Sequence, residues 1–160
     1  MVVSPGYGRL IVEHAQKHQI SPKLIAAIIH QESKGNPWAV RREHQFFLKY
    51  LQYKTEQTIG GYVPQLCTFQ TEKMLRSYSF GLMQIMGQTA RENGFEGEYL
   101  TQLCDPATNI EVGVKLIKKF VDSTKDIHAA LLRYNGGGDE EYPAKILKHI
   151  ESGAADYILL

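Results

Sequence analysis

The sequence predicts a mainly α-helical fold, and three observations carry that prediction. Apolar residues recur at helical spacing in several segments. Ser-Pro or Asp-Pro pairs stand ahead of three of those segments, and few segments alternate with period two. A substantial sheet is not expected; a small β excursion or loop in the middle of the chain is.

The elements follow in order. Ser4-Pro5 is a cap followed by proline, which starts a first helix running to about His18. Ser21-Pro22 repeats the signal, and Leu24, Ile25, Ile28 and Ile29 then share one face; Gly35 and Asn36-Pro37 stop this helix. From Trp38 to Ser77 the pattern is weaker. Phe46, Phe47, Tyr50 and Leu51 suggest a helix, Gly60-Gly61-Tyr62-Val63-Pro64 a loop or short extended piece, and Thr71 to Arg76 a further helical turn or two. Leu82 to Glu92 reads as helix, broken at Asn93-Gly94. Asp105-Pro106 opens a longer helix with Ile110, Val114, Ile117 and Val121 on one stripe. Asp126 caps the next, with Ile127, Ala130, Leu131 and Tyr134 inward, and Gly136-Gly137-Gly138 ends it. Pro143 begins a last helix carrying Ile146, Leu147 and Ile150.

A chain of 160 residues fits one domain, 1–160, with room for a core that needs no staples. Hydrophobic residues make up 43% and charged residues 22%, and the net charge is +1, so neither a basic excess for nucleic acid nor an acidic solvating tail is present. Cys67 and Cys104 form no CxxC pair. They read as half-buried thiols, with a single disulfide between them left open. His14 and His18 stand four apart, but without a third ligand in reach they read as a solvated helix face; no metal and no cofactor is expected. No stretch approaches the ~20 apolar residues of a membrane span. Met1 to Leu10 lacks the charged start and apolar run of a secretion signal, so the chain reads as soluble as given, its signal removed or its delivery arranged another way.

Glu32 is the residue placed for chemistry. It follows Ile28 by four and Ile29 by three, so it continues the apolar stripe of the second helix near its C-terminal end. Partial burial and the negative end of the helix dipole both disfavour a carboxylate there, which is what a general acid near neutral pH requires.

Around it, in order, stand Glu32-Ser33, Asn36-Pro37, Gly81-Leu82-Met83-Gln84-Ile85-Met86, Thr89-Ala90, Asp105-Pro106, Asn109-Ile110 and Tyr134-Asn135-Gly136-Gly137. Each motif is weak alone, but the ordered set resembles the soluble lytic transglycosylases, relatives of goose-type lysozyme, over residues 8 to 150. The resemblance implies a lysozyme-like helical domain that cleaves bacterial peptidoglycan. It implies Glu32 as the sole essential acid/base and substrate contacts at Ser33, Ser79, Gly81, Gln84, Met86, Tyr134 and Asn135. Among these, Gln84 would line the sugar cleft, Gly81 would allow close backbone approach, Met86 would form an apolar wall, and Tyr134 would aim its hydroxyl at the reacting centre. Asn135 reads rather as a brace for its helix end, and Met83 as core filler.

The chain departs from the family pattern by more than forty residues between Asn36-Pro37 and Gly81. This insertion, about 38–78, is similar to that of a phage and mobile-element subgroup, which also shares Trp38-Ala39-Val40-Arg41. It is expected to form part of the cleft, its aromatics stacking on sugars or simply packing. Arg133 stands where the family often has a small residue, either facing solvent or meeting a stem-peptide carboxylate.

The implied reaction breaks the β-1,4 bond from N-acetylmuramic acid to N-acetylglucosamine and leaves a 1,6-anhydro end. A muramidase would instead hydrolyse the bond, and ordinary glycosidases do so with two carboxyl groups. Goose-type lysozymes carry an aspartate where Met86 stands; Glu72, Glu43 and Glu56 remain candidates for positioning a water, Glu72 foremost. A non-catalytic glycan-binding module is the third reading. The expected partner is the peptidoglycan strand at the cell wall, reached in the periplasm, outside the cell or by phage delivery, and the chain is expected to act as a monomer.

Overall fold

The computed structural model describes residues 6–160. The expected helix start at Ser4-Pro5 lies outside the described residues. The fold is mainly α with a small three-stranded sheet, as the periodicity predicts. It divides into two compact units, one comprising the chain up to Gly35 together with Gly113–Leu160, the other Asn36–Val112.

The first unit is helical. It holds α1 (Gly8–Lys17), α2 (Pro22–Ser33), the later part of α6 (Pro106–Thr124), α7 (Ile127–Tyr134), α8 (Tyr142–Glu151) and a C-terminal 3-10 turn, Asp156–Leu159. Leu24 through Ile29 are all buried, so α2 is apolar around most of its circumference and must be surrounded. It packs against α1, α8 and the C-terminal turn. Each fully buried Ile there contributes roughly 1.5–3 kcal/mol relative to exposure. Gly8 allows α1 to meet the C-terminal turn, because a Cβ at that position would lie 1.9 Å from the carbonyl oxygen of Leu159. Asp126 caps α7 as expected, accepting from the backbone N–H groups of His128 and Ala129 at 3.1 and 3.2 Å.

The second unit holds the sheet β1 (Val40–Arg42), β2 (Tyr78–Phe80) and β3 (Ile85–Met86), antiparallel in that order. Phe80 pairs with both Val40 and Ile85. Around it lie α3 (His44–Phe46), which widens into a π-helical turn over Phe47–Leu51, then α4 (Phe69–Leu75), α5 (Gly87–Glu92) and a 3-10 turn, Leu100–Cys104. The helix expected over 82–92 forms only from Gly87; residues 81–84 are a turn joining β2 to β3.

A polar cluster replaces apolar packing in part of this unit. Glu72, Arg76 and Arg91 are buried to 1% exposure or less. Glu72 accepts from Arg76 Nε at 2.9 Å and from Arg91 Nε at 2.7 Å, and Arg91 Nη2 reaches its other oxygen at 3.2 Å. Other guanidinium donors go to the carbonyls of Gly60, Tyr62, Phe95 and Gly97 and to Gln88 Oε1, so the loops that carry those carbonyls are tied to the cluster. Cys67 and Cys104 are free thiols, and burial pushes both above their ordinary range.

Candidate active site

Glu32 lies in the last turn of α2, half-buried, as its place on the apolar stripe predicts. α2 ends one residue later because Lys34 takes a left-handed backbone conformation (φ 53°) and Gly35 continues it. Ser33 turns its hydroxyl back to the carbonyl of Ile29 at 3.2 Å.

One partner of Glu32 is Tyr142, which the sequence reading missed. Its phenol donates to Glu32 Oε1 at 2.6 Å. Tyr142 opens α8 one residue before Pro143 and is 2% exposed. A signal was available: Tyr142, Ile146 and Ile150 share helical spacing, and a tyrosine heading an apolar stripe must find a partner for its hydroxyl. Burial first, and then the charge of Glu32, push this phenol far above its usual range. Tyr134, at the end of α7, is shifted upward by the same two causes in the same order. Both phenols therefore stay neutral donors throughout the range in which a carboxyl titrates.

The loop between these tyrosines is braced. Asn135 Oδ1 accepts from the Asp139 backbone N–H at 2.9 Å, consistent with the bracing role read from the sequence. Asp139 in turn accepts from the Glu141 N–H at 3.0 Å and pairs with Lys145 at 2.6 Å. That lysine holds the Asp139 carboxyl below its ordinary range. Arg133 lies over the Phe120 ring at 4.8 Å and donates to Ser123 at 3.2 Å.

In the second unit, Gly81, Leu82, Met83 and Gln84 form the β2–β3 turn, and Asn109 holds it from within. The Asn109 amide donates to the carbonyls of Phe80 (2.8 Å) and Leu103 (2.7 Å) and accepts from the Met83 N–H (2.8 Å). Gly81 has φ +72°, and a Cβ there would lie 2.5 Å from Asn109 Nδ2, so glycine is required by this internal contact. Gln84 is left-handed (φ 48°), a strained conformation for a side chain of that size. Its Nε2 donates to the carbonyls of Ala39 (2.9 Å) and Gly81 (3.0 Å). Two carbonyl acceptors identify the nitrogen and commit both of its protons, leaving the amide oxygen as the end suited to a ligand. Ser79 is buried in β2 and Met83 is fully buried, whereas Met86 is half-buried at the head of α5. Glu72 does not fit a water-positioning role: it is 0% exposed, and both its oxygens face guanidinium groups. Glu43 is paired with Arg41 at 2.6 Å. Among the described residues, no group of three or more His, Cys, Asp or Glu could hold a metal ion, and no helix is long and apolar enough to cross a membrane.

A family model described as the transglycosylase SLT domain matches residues 9–145. The chain belongs to this family. The SLT match covers the ordered motifs from Glu32-Ser33 to Tyr134-Asn135-Gly136-Gly137. One relative is a protein named transglycosylase from Enterobacteria phage PRD1, 27% identical over 142 residues, which are 84% of this chain and 39% of the relative. Another is a membrane-bound lytic murein transglycosylase E of Buchnera aphidicola subsp. Acyrthosiphon pisum (strain APS), 28% identical over 141 residues, 80% of this chain and 48% of the relative. The chain thus spans less than half the length of these SLT-related proteins. No solved structure matches it.

Proposed function

We infer that this chain is a peptidoglycan lytic transglycosylase in which Glu32 is both acid and base. The observation that carries the reading is the 2.6 Å hydrogen bond from Tyr142 to Glu32, at a half-buried helix end, in a member of the SLT family. The names of the phage and bacterial relatives point to the same activity.

Glu32 protonates the oxygen of the β-1,4 bond between N-acetylmuramic acid and N-acetylglucosamine, and the anomeric C–O bond breaks. The carboxylate left behind accepts the Tyr142 hydrogen bond, a charge-assisted contact that steadies it until it takes the next proton. That proton comes from the muramic 6-hydroxyl, whose oxygen closes on the anomeric carbon. The products are a 1,6-anhydro end and a free 4-hydroxyl, and no water is consumed. Burial of the α2 terminus and the helix dipole favour the neutral acid at the start, and the phenol favours the anion at the midpoint; one group can then give and take in a single turnover. The burial of Glu72 and the pairing of Glu43 with Arg41 speak for a mechanism without a second carboxyl group.

The resemblance extends the substrate contacts to Ser33, Tyr134 and Asn135 in the first unit and to Ser79, Gly81, Gln84 and Met86 in the second. For Gln84 the amide oxygen is the contacting atom, and for Ser79 and Gly81 the contribution is to the shape of the strand and turn.

Mass analysis of purified cell walls digested with the protein tests this reading. Anhydro-terminated fragments, lighter by one water than hydrolysed ones, are expected, with none from Glu32→Gln. Hydrated ends would make the enzyme a muramidase, and equal clearing by the two proteins would remove Glu32 from the chemistry.

A further inference from the structure

We propose that Trp38 is a stacking platform for a pyranose ring of an N-acetylated, β-1,4-linked glycan. The proposal rests on the reading that this chain binds glycan strands, and it adds a subsite on the second unit.

Trp38 is the one tryptophan of the sequence and is 75% exposed. An indole has a large apolar area to bury, and here that area stays open to a ligand. It makes no ring-stacking or cation–π contact among the described residues.

Its backbone, by contrast, is fixed on both sides. The Trp38 N–H donates to Asn36 Oδ1 at 3.0 Å. The carbonyl of the next residue, Ala39, accepts from the Gly81 N–H at 2.8 Å and from Gln84 Nε2 at 2.9 Å. One residue further on, Val40 enters β1 and pairs with Phe80. The exposed ring is thus carried by the same bonds that hold the Gly81–Gln84 turn, and that turn includes a left-handed Gln84. Strain of this kind persists where the surroundings over-determine it, and it clusters at ligand sites. A rigid aromatic that loses little freedom on binding is an efficient contact.

The geometry suits a sugar. A β-linked N-acetylhexosamine in its chair form offers a flat face of axial C–H groups rimmed by hydroxyls. An indole covers that face and carries an N–H for the rim.

The lone tryptophan makes the test direct, since all indole emission comes from this site. In the Glu32→Gln protein, titration with chitohexaose, a neutral β-1,4 hexamer of N-acetylglucosamine, is expected to shift the emission to the blue and to shield it from acrylamide. By calorimetry, Trp38→Ala in the same background is expected to bind about tenfold more weakly, and Trp38→Tyr within about threefold of the parent. Circular dichroism matching the parent establishes that the variants fold. Saturable calorimetric binding with unchanged emission and quenching overturns the platform, as does equal affinity of Trp38→Ala. If neither chitohexaose nor purified cell wall binds, the glycan reading falls and the platform with it. Wall clearing by Glu32→Gln would remove the catalytic assignment alone and leave the fluorescence result to decide Trp38.

Discussion

The Tyr142 phenol donates to Glu32 Oε1 at 2.6 Å, joining the first turn of α8 to the last turn of α2. The bond fixes the rotamer of the carboxyl group and stabilises its charged form; in the mechanism we propose, Tyr142 is therefore a positioning residue for Glu32.

Tyr142→Phe keeps the ring and removes the donor. We expect kcat on cell-wall substrate to fall about 10- to 100-fold with KM little changed, because the loss falls on the reacting group rather than on sugar binding. Without the phenol the Glu32 anion is less favoured, so the limb of the pH–rate profile that reports its deprotonation should move to higher pH. A purely structural role would lower activity without moving that limb.

The same helix pair carries a pH dependence of stability. His30 Nδ1 lies 3.0 Å from the Tyr157 hydroxyl and His149 Nε2 lies 2.8 Å from Gln31 Oε1, with the two imidazoles edge to face at 4.6 Å. Burial first, then the Lys34 ammonium, hold both rings below the ordinary 6.5; the other imidazole adds to this at His30, and Lys148 at His149. The unfolded chain therefore binds more protons than the folded one as the pH falls through 6.5. Stability should be full above that value and decline below it. His149→Gln, which removes one titrating ring, should flatten the fall of Tm between about pH 7 and pH 5.

The helical part of this architecture was legible because local rules and tertiary packing agree there. Ser21-Pro22, Asp105-Pro106 and Asp126 each start a helix as read, and the Leu24–Ile29 run is the centre of its unit. Glu32 was legible for the same reason, since its place follows from helical spacing alone. The stretch over 82–86 was misread because Leu82, Met83, Ile85 and Met86 suit a helix locally. What turns them into a strand pair is Asn109, more than twenty positions away, whose amide takes up the backbone groups of Phe80 and Met83. Tyr142 was missed because its partner lies 110 positions distant. Glu72, a possible second carboxylate in the sequence, is taken up by Arg76, four residues on and visible from helical spacing, and by Arg91, which only the folded chain brings to it.

Glu72→Gln tests that cluster. The substitution keeps the volume of the side chain but leaves two buried guanidinium groups without a counter-charge. Breaking a buried ion pair from one side costs about 3–5 kcal/mol, so the urea midpoint should fall steeply. A midpoint within experimental scatter of the parent would mean that the carbonyls of Gly60, Tyr62, Phe95 and Gly97 suffice to hold the two arginines.

Asn109→Asp separates the hold on the turn from the volume that fills it. The substituted carboxylate can still accept from the Met83 N–H, but it faces the carbonyls of Phe80 and Leu103 with no proton to give. An anion at a site 0% exposed, set against two carbonyl oxygens, should destabilise the protein by about 2–5 kcal/mol. The consequence should also appear at a distance. Because Gly81 and Gln84 hold the Ala39 carbonyl, loosening their turn frees the backbone beside Trp38. Below the melting temperature of the variant, the anisotropy of the single indole should fall and its activity on cell wall should drop with it. Unchanged anisotropy in a destabilised variant would mean that the Asn36 turn alone holds Trp38 in place.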